Sequence, residues 1–203
     1  MINNLLSDNQ YFKEKQFKNQ IVIHHTAGGS SAVNTIHGWN FNPEKVGTAF
    51  VIDGKIWGGA NNFAGEIGQT IIDGNEIDRN KTLERAGSGG AILRDSGRLA
   101  ADLQKEADQG NLDSKRILTE AGKTLGLAIF NQIQILDPEV CVLGGGLALG
   151  SDTYWQAVTD TLKSAESNSV KRRYLVERSF LGSDAVILGA VELSNSKEGL
   201  YYA

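Results

Sequence analysis

The sequence is short of several residue types, and each shortage excludes something. One cysteine, Cys141, stands among 203 residues, which leaves no internal disulfide and no four-cysteine zinc site. Three histidines occur, at positions 24, 25 and 37, and none follows. Prolines number two against 24 glycines, so turns and close backbone approaches fall to glycine. No apolar run reaches the roughly 18 residues of a membrane span. Residues Met1 to Leu6 lack the basic-then-apolar layout of a signal peptide. A net charge of −4 gives no electrostatic reason to expect nucleic acid or an anionic membrane surface as partner. A cytoplasmic protein is expected. Apolar residues make up 40% and charged residues 22%, enough for a buried core in one domain.

The chain turns at Val46–Trp57. An apolar, β-branched run, Ala49 to Ile52, meets Asp53-Gly54, the pair that a type I′ hairpin turn favours, and Lys55-Ile56-Trp57 starts the return strand. Upstream, residues 1–20 read as a short surface helix or arm. Gln20 to Thr26 is a strand by its β-branched content. After a glycine turn, Ser30 or Ser31 caps a helix with Ala32, Thr35, Ile36 and Trp39 on one face, which ends before Pro43. His24 and His25 point to opposite faces of their strand. Taken alone they read as one buried, hydrogen-bonded histidine and one exposed.

Downstream, Gly58 to Asp73 is glycine-rich around one carboxylate, Glu66, which on its own reads as a solvated acid in a loop. Residues 73–81 form a polar loop. A helix opens at Leu83, is interrupted by Gly87-Ser88-Gly89-Gly90 and resumes at Ala91, and Asp95 to Gln109 reads as a partly exposed helix. Asp113 or Ser114 caps the strongest helix. Its Leu118, Ala121, Leu125, Ala128, Ile129, Ile133 and Leu136 recur at threes and fours. Gly122 and Gly126 allow close packing, and Asp137-Pro138 stops the helix. Glu139 to Leu143 is a strand that buries Cys141 as a core residue. Gly144-Gly145-Gly146 follows at once, and α/β proteins place nucleotides at such strand ends. A helix over 151–164, an edge strand over 172–178, a last helix over 185–193 capped by Ser183 or Asp184, and a frayed tail complete the chain.

Two families are recognisable in these motifs. Phe12-Lys13-Glu14-Lys15, Ile21 to Gly28, Asn34-Thr35-Ile36 with Trp39, and Asn42 to Ile52 resemble the start of a zinc-dependent N-acetylmuramoyl-L-alanine amidase, over about residues 1–55. The resemblance implies His24 as a zinc ligand. The other two ligands of that family lie beyond the hairpin, where this chain has no histidine, so zinc is not expected.

From about Gly47 to residue 203 the chain resembles the C-terminal lobe of ROK-family proteins, which are sugar kinases and sugar-responsive repressors of the actin-like, ribonuclease-H-like fold. The hairpin at 50–57, Gly59 to Gly68, Thr82-Leu83-Glu84 with Ser88-Gly89, Asp137-Pro138-Glu139, Leu143 to Leu147, and Ser183 to Ala190 carry the resemblance. It implies Glu66 and Glu84, with Gln69 where the family often has histidine, as sugar-binding residues. It also implies Gly144, Gly145 and Gly146 as the nucleotide loop, and ATP with magnesium as the cofactor. The family's structural-zinc cysteines are absent, and Thr82 stands in the place of one. The phosphate motif of the N-terminal lobe and the aspartate that takes the sugar-hydroxyl proton have no counterpart here.

The expected fold is therefore α/β. A mixed sheet is flanked by helices in a ribonuclease-H-like/actin-like lobe, with an amidase-like β-α-β unit at its N-terminal end. One fused domain covers 1–203, amidase-like over 1–55 and kinase-lobe-like over 56–203, as a recombined, engineered or designed chain would be. Three functions follow: a sugar- and nucleotide-binding lobe with incomplete catalysis, a zinc amidase remnant, and a folded scaffold without native activity. An exposed lobe face implies self-association.

Overall fold

A strand of Ile, Val and Ile suits the middle of a sheet, where both faces are covered, and that is where the first strand lies. The computed structural model describes residues 19–25, 46–53, 55–61, 63–73, 81–166, 174–185, 189 and 201–202. Its strands are β1 (Asn19–His25), β2 (Val46–Ile52), β3 (Lys55–Trp57), β4 (Val140–Gly144), β5 (Leu175–Arg178) and β6 (Tyr201–Tyr202). They form one sheet in the order β5-β4-β1-β2-β3-β6. β1, β2 and β3 make an antiparallel meander. β4 joins β1 in parallel, and β5 joins β4 in parallel. This is the mixed sheet expected of an actin-like lobe.

The hairpin is as its residues dictate. Ile52 faces Lys55 across a two-residue connection, and Asp53 takes φ 48°, the positive value a I′ turn requires. Phe50 and Trp57 face each other across the two strands with ring centroids 6.2 Å apart. Such an aromatic pair stabilises the register by about 0.5–1.5 kcal/mol.

The helices are α1 (Leu83–Gly87), α2 (Gly89–Ser96), α3 (Ala100–Asp108), α4 (Leu112–Leu136), α5 (Gly146–Gly150) and α6 (Asp152–Glu166), with 3₁₀ turns at Ile67–Gln69 and Gly182–Asp184. α4 is the core helix that its periodicity predicts. Leu118, Ala121, Leu125, Ala128, Ile129 and Ile133 are all buried, each large aliphatic side chain contributing about 1.5–3 kcal/mol. α6 lies against it at the two glycines. A Cβ on Gly122 would stand 2.6 Å from the Tyr154 carbonyl oxygen, and one on Gly126 would stand 2.8 Å from Thr161 Cβ. Tyr154, wholly buried, reaches on to the Gly87 carbonyl at 3.4 Å and so ties α6 to α1. Cys141 is a core residue, as expected, and burial pushes its thiol up to about 12.

Three expectations are corrected. The cap of α4 is Asn111, whose Oδ1 accepts from the Asp113 and Ser114 amides at 3.0 and 3.1 Å. Ser114 is drawn inward instead, donating to Glu106 beside Arg98, and Asp113 pairs with Arg98 and Arg116. Neither side chain is then free to cap. The helix read over 95–109 is two: Gly97, at φ 71°, ends α2 by returning its N–H to the Leu93 carbonyl at 2.8 Å. The tail is not wholly frayed, because Tyr201 and Tyr202 pair in parallel with Ile56 and Trp57. The N-terminal helix, the helix over 32–39, the loop 74–80 and most of the last helix lie outside the described residues.

The corrected cap carries its own prediction. Asn111→Ala is expected to lower stability by about 1 kcal/mol, or about 2–4 °C in Tm for a chain this size, whereas Asp113→Ala leaves the cap intact. Thermal melts of the two variants side by side check it.

Candidate functional site

β1 and β4 run parallel and β2 runs against both, so the carboxyl ends of β1 and β4 share a sheet edge with the amino end of β2. One row crosses that edge. Gly47 of β2 faces His24 of β1, and His24 neighbours Gly144 of β4. With neighbouring strands about 4.8 Å apart, Gly47 and Gly144 stand about 10 Å from one another. Ligands of α/β sheets sit at such carboxyl ends.

The acid segment is pressed onto the β2 side of this edge by two glycines. Gly65 takes φ 97°, and a Cβ there would lie 2.1 Å from the Thr48 carbonyl oxygen. A Cβ on Gly68 would lie 2.7 Å from the Val46 carbonyl oxygen and 3.2 Å from Glu84 Oε2. Between them Ile67, 3% exposed, anchors the 3₁₀ turn in the core. Glu66 immediately precedes that turn, half-buried, and Gln69 is its last residue.

Glu84 arrives from a different element. It sits in the first turn of α1, where the helix dipole favours an anion. The chain brings it back by pinning both ends of the intervening loop: Ile71 bridges Thr82, the Leu83 amide donates to the Thr70 carbonyl at 2.9 Å, and Lys81 pairs with Asp73 at 3.6 Å. Gln69 Nε2 then donates to Glu84 Oε2 at 3.5 Å, across fifteen positions of sequence. That length is at the outer limit of a hydrogen bond, and it links the 3₁₀ turn to the first turn of α1.

The glycine loop occupies the β4 side. Val140 to Gly144 are all buried. Gly145 takes φ 90°, a value that excludes other residues without strain. Gly146 opens α5, and a Cβ there would meet nothing within 4 Å. The protein's own packing does not require glycine at 146. Gly144 and Gly145 are buried, while Gly146 is exposed beside open space among the described residues, which suits the approach of a flat base, ribose or phosphate at Gly146.

His24 takes its backbone place in the central row. Among the described residues no three His, Cys, Asp or Glu side chains gather to hold a metal ion. Among the described residues no helix is long and apolar enough to cross a membrane. Sequence reasoning missed one residue at this edge. Arg178, in register with Leu143, lays its guanidinium 4.8 Å over the Trp155 ring and pairs with Asp152 at 2.8 Å. Its only sequence signal was a charge at the end of an edge strand.

The sequence profile described as the ROK family matches residues 45–197. The chain is 28% identical over 152 residues to the bifunctional enzyme NanE/NanK of Brucella melitensis, covering 73% of this chain and 29% of that protein. It is 28% identical over 178 residues to the glucokinase of Halalkalibacterium halodurans, covering 75% and 54%. The ROK family glucokinase from Streptomyces griseus, solved in complex with glucose and AMPPNP, superposes with a TM-score of 0.68 at 16% identity, over 87% of this chain and 60% of that one. That likeness is one of fold. The chain spans about half or less of the length of these two relatives. Residues 1–44 fall outside the profile match, and nothing in these likenesses supports an amidase or a chimeric origin. β1, from the amidase-like segment, is a central strand of the one sheet. The matched stretch holds the hairpin, the Glu66–Glu84 segment and the glycine loop in order, and the chain belongs to the ROK family.

Proposed function

We propose that this chain is the sugar- and nucleotide-binding lobe of a ROK-family sugar kinase. Glu66 and Glu84 accept hydrogen bonds from hexose hydroxyls, Gln69 aligns Glu84, and the backbone of Gly144–Gly146 takes the nucleotide. The observation that carries the reading is the row Gly47–His24–Gly144, which sets the acid segment and the glycine loop at one edge of the sheet. Bonds from neutral hydroxyls to a carboxylate are charge-assisted, and each contributes about 1.5–3 kcal/mol.

ATP with magnesium, when bound, supplies the phosphoryl group. This chain's residues bind and orient the two partners, because phosphoryl transfer rests on positioning and charge stabilisation. No residue here is assigned as the base that takes the sugar proton. His24 has no metal role in this reading. Exposed Leu127 and Ile135 on α4 accord with self-association, and sedimentation at several concentrations reads it; a strict monomer throughout removes that part.

Calorimetric titration with ATP and magnesium, and separately with a panel of hexoses, tests the function. Heat is expected with ATP and with at least one hexose. Hexose heat without nucleotide heat leaves a sugar-sensing lobe, and no heat with either ligand overturns the proposal.

A further inference from the structure

Three glycines span the junction of β4 and α5, a run with no side chains to hold its own shape and with a high backbone entropy cost of ordering. Its ends must be held for it. The first end is secure, because Leu143 lies in β4 between β1 and β5. The second runs into α5, five residues long, too short to persist by itself. Leu147 and Ala148 seat α5 in the core, and its far end is held where Ser151 is held.

Arg178 holds both ends at once. Its backbone is the register partner of Leu143, and the next amide, Ser179 N, donates to the Leu143 carbonyl at 2.8 Å. Its side chain crosses to the far end, where Nη2 reaches the Ser151 carbonyl at 3.4 Å and Asp152 Oδ1 at 2.8 Å. The guanidinium plane rests on Trp155, in the first turns of α6. Its Nε is buried without a hydrogen-bond partner, so the stack and the fork of Nη2 bonds carry the contact. Residues 144–150, seated in the core through Leu147 and Ala148, therefore have their two ends joined through one arginine. Ser151 is fixed a second time from behind, by Gln104 Oε1, which accepts from its hydroxyl at 2.5 Å.

We propose that Arg178 is the positioning residue of the nucleotide loop, closing the ring Leu143–Gly144–α5–Ser151–Arg178 so that the glycine backbone is presented in one shape. The inference rests on the nucleotide half of the function proposed above. It assigns Arg178 no contact with the reacting atoms. Lysine keeps the charge and its donors but cannot lay a planar guanidinium flat on the indole.

The test compares the full-length wild type with Arg178→Lys and Asp152→Asn. ATP with magnesium and a hexose that the wild type binds are titrated in parallel, and backbone hydrogen exchange is followed over 144–151. Arg178→Lys is expected to weaken ATP binding about tenfold, the equivalent of losing the guanidinium–indole stack and the geometry it gives the Nη2 bonds. Asp152→Asn is expected to weaken it about threefold, as for an exposed pair. Exchange should quicken over residues 144–151 alone, with hexose affinity unchanged. Asp152 is 88% exposed at its side chain, so that variant folds even where Arg178→Lys does not. Unchanged ATP affinity in both variants, or an equal loss of ATP and hexose binding, overturns this inference and leaves the proposed function standing. A wild type that binds hexose but no nucleotide overturns both the inference and the nucleotide half of the function.

Discussion

Gly65→Ala is expected to be the most damaging single methyl in the described part of the chain. Two independent costs coincide there. The φ of 97° lies in a region that an L side chain enters only under strain, and the added Cβ would stand 2.1 Å from the Thr48 carbonyl oxygen. Neither side yields easily. Thr48 lies in β2, paired with Ile23 of β1 in the middle of the sheet, and is itself fully buried. Ile67, two residues on, is locked in the core. The loss should reach about 3 kcal/mol or more, a fall of about 6–12 °C in Tm. Because Glu66 adjoins the displaced residue, hexose binding should fall with it. Gly97→Ala is the matched control. Gly97 also has positive φ, at 71°, but a Cβ there meets nothing within 4 Å. That change should cost only about 1 kcal/mol of left-handed backbone. Thermal melts of both variants decide it; equal losses would show that the close approach to Thr48 contributes nothing.

Glu84→Gln is expected to weaken hexose binding by roughly 10–150-fold, which is the about 1.5–3 kcal/mol of a charge-assisted hydrogen bond expressed as affinity. The substitution keeps shape and volume but removes the charge. It also sets an amide against the Gln69 amide, where Nε2 now donates to Glu84 Oε2. ATP affinity should be unchanged, since the glycine loop lies two strands away along the row. Stability should fall by at least the about 0.3–1 kcal/mol that an acid in the first turn of a helix contributes. Parallel titrations with hexose and ATP measure the split. Undiminished hexose binding would remove Glu84 from the sugar site, and an equal loss of both ligands would mark the change as structural.

The same two sites show why parts of the structure could be read from sequence and others could not. The hairpin was legible because Asp53-Gly54 satisfies a local φ requirement. α4 was legible because burying one face of a helix imposes a 3.6-residue period, from Leu118 through Ile133. The turn after β4 was legible because Gly145 takes a positive φ that favours glycine. Capping was misread at α4 because Asn111, Asp113 and Ser114 are all competent caps. The choice among them was made by Arg98 and Glu106, which take Asp113 and Ser114 away. The break at Gly97 was missed because a single glycine is tolerated inside helices, and only its left-handed φ reveals a terminus.

By itself the sequence determined the α/β class, the order and kind of most elements, and family membership through the run of motifs from the hairpin to the glycine loop. Those properties follow from local rules: periodicity, turn chemistry and strand propensity. Tertiary structure decided the meeting of Gln69 with Glu84, the pressing of Gly65 onto Thr48, and the ring that Arg178 closes around residues 144–150. Each joins positions far apart in the chain, and no local preference of either partner encodes the distance between them. Tertiary structure also decided the standing of β1. Its residues suggested another family, but a central strand is specified by hydrogen bonds to both neighbours and by cover on both faces, and β2 and β4 supply the first of these.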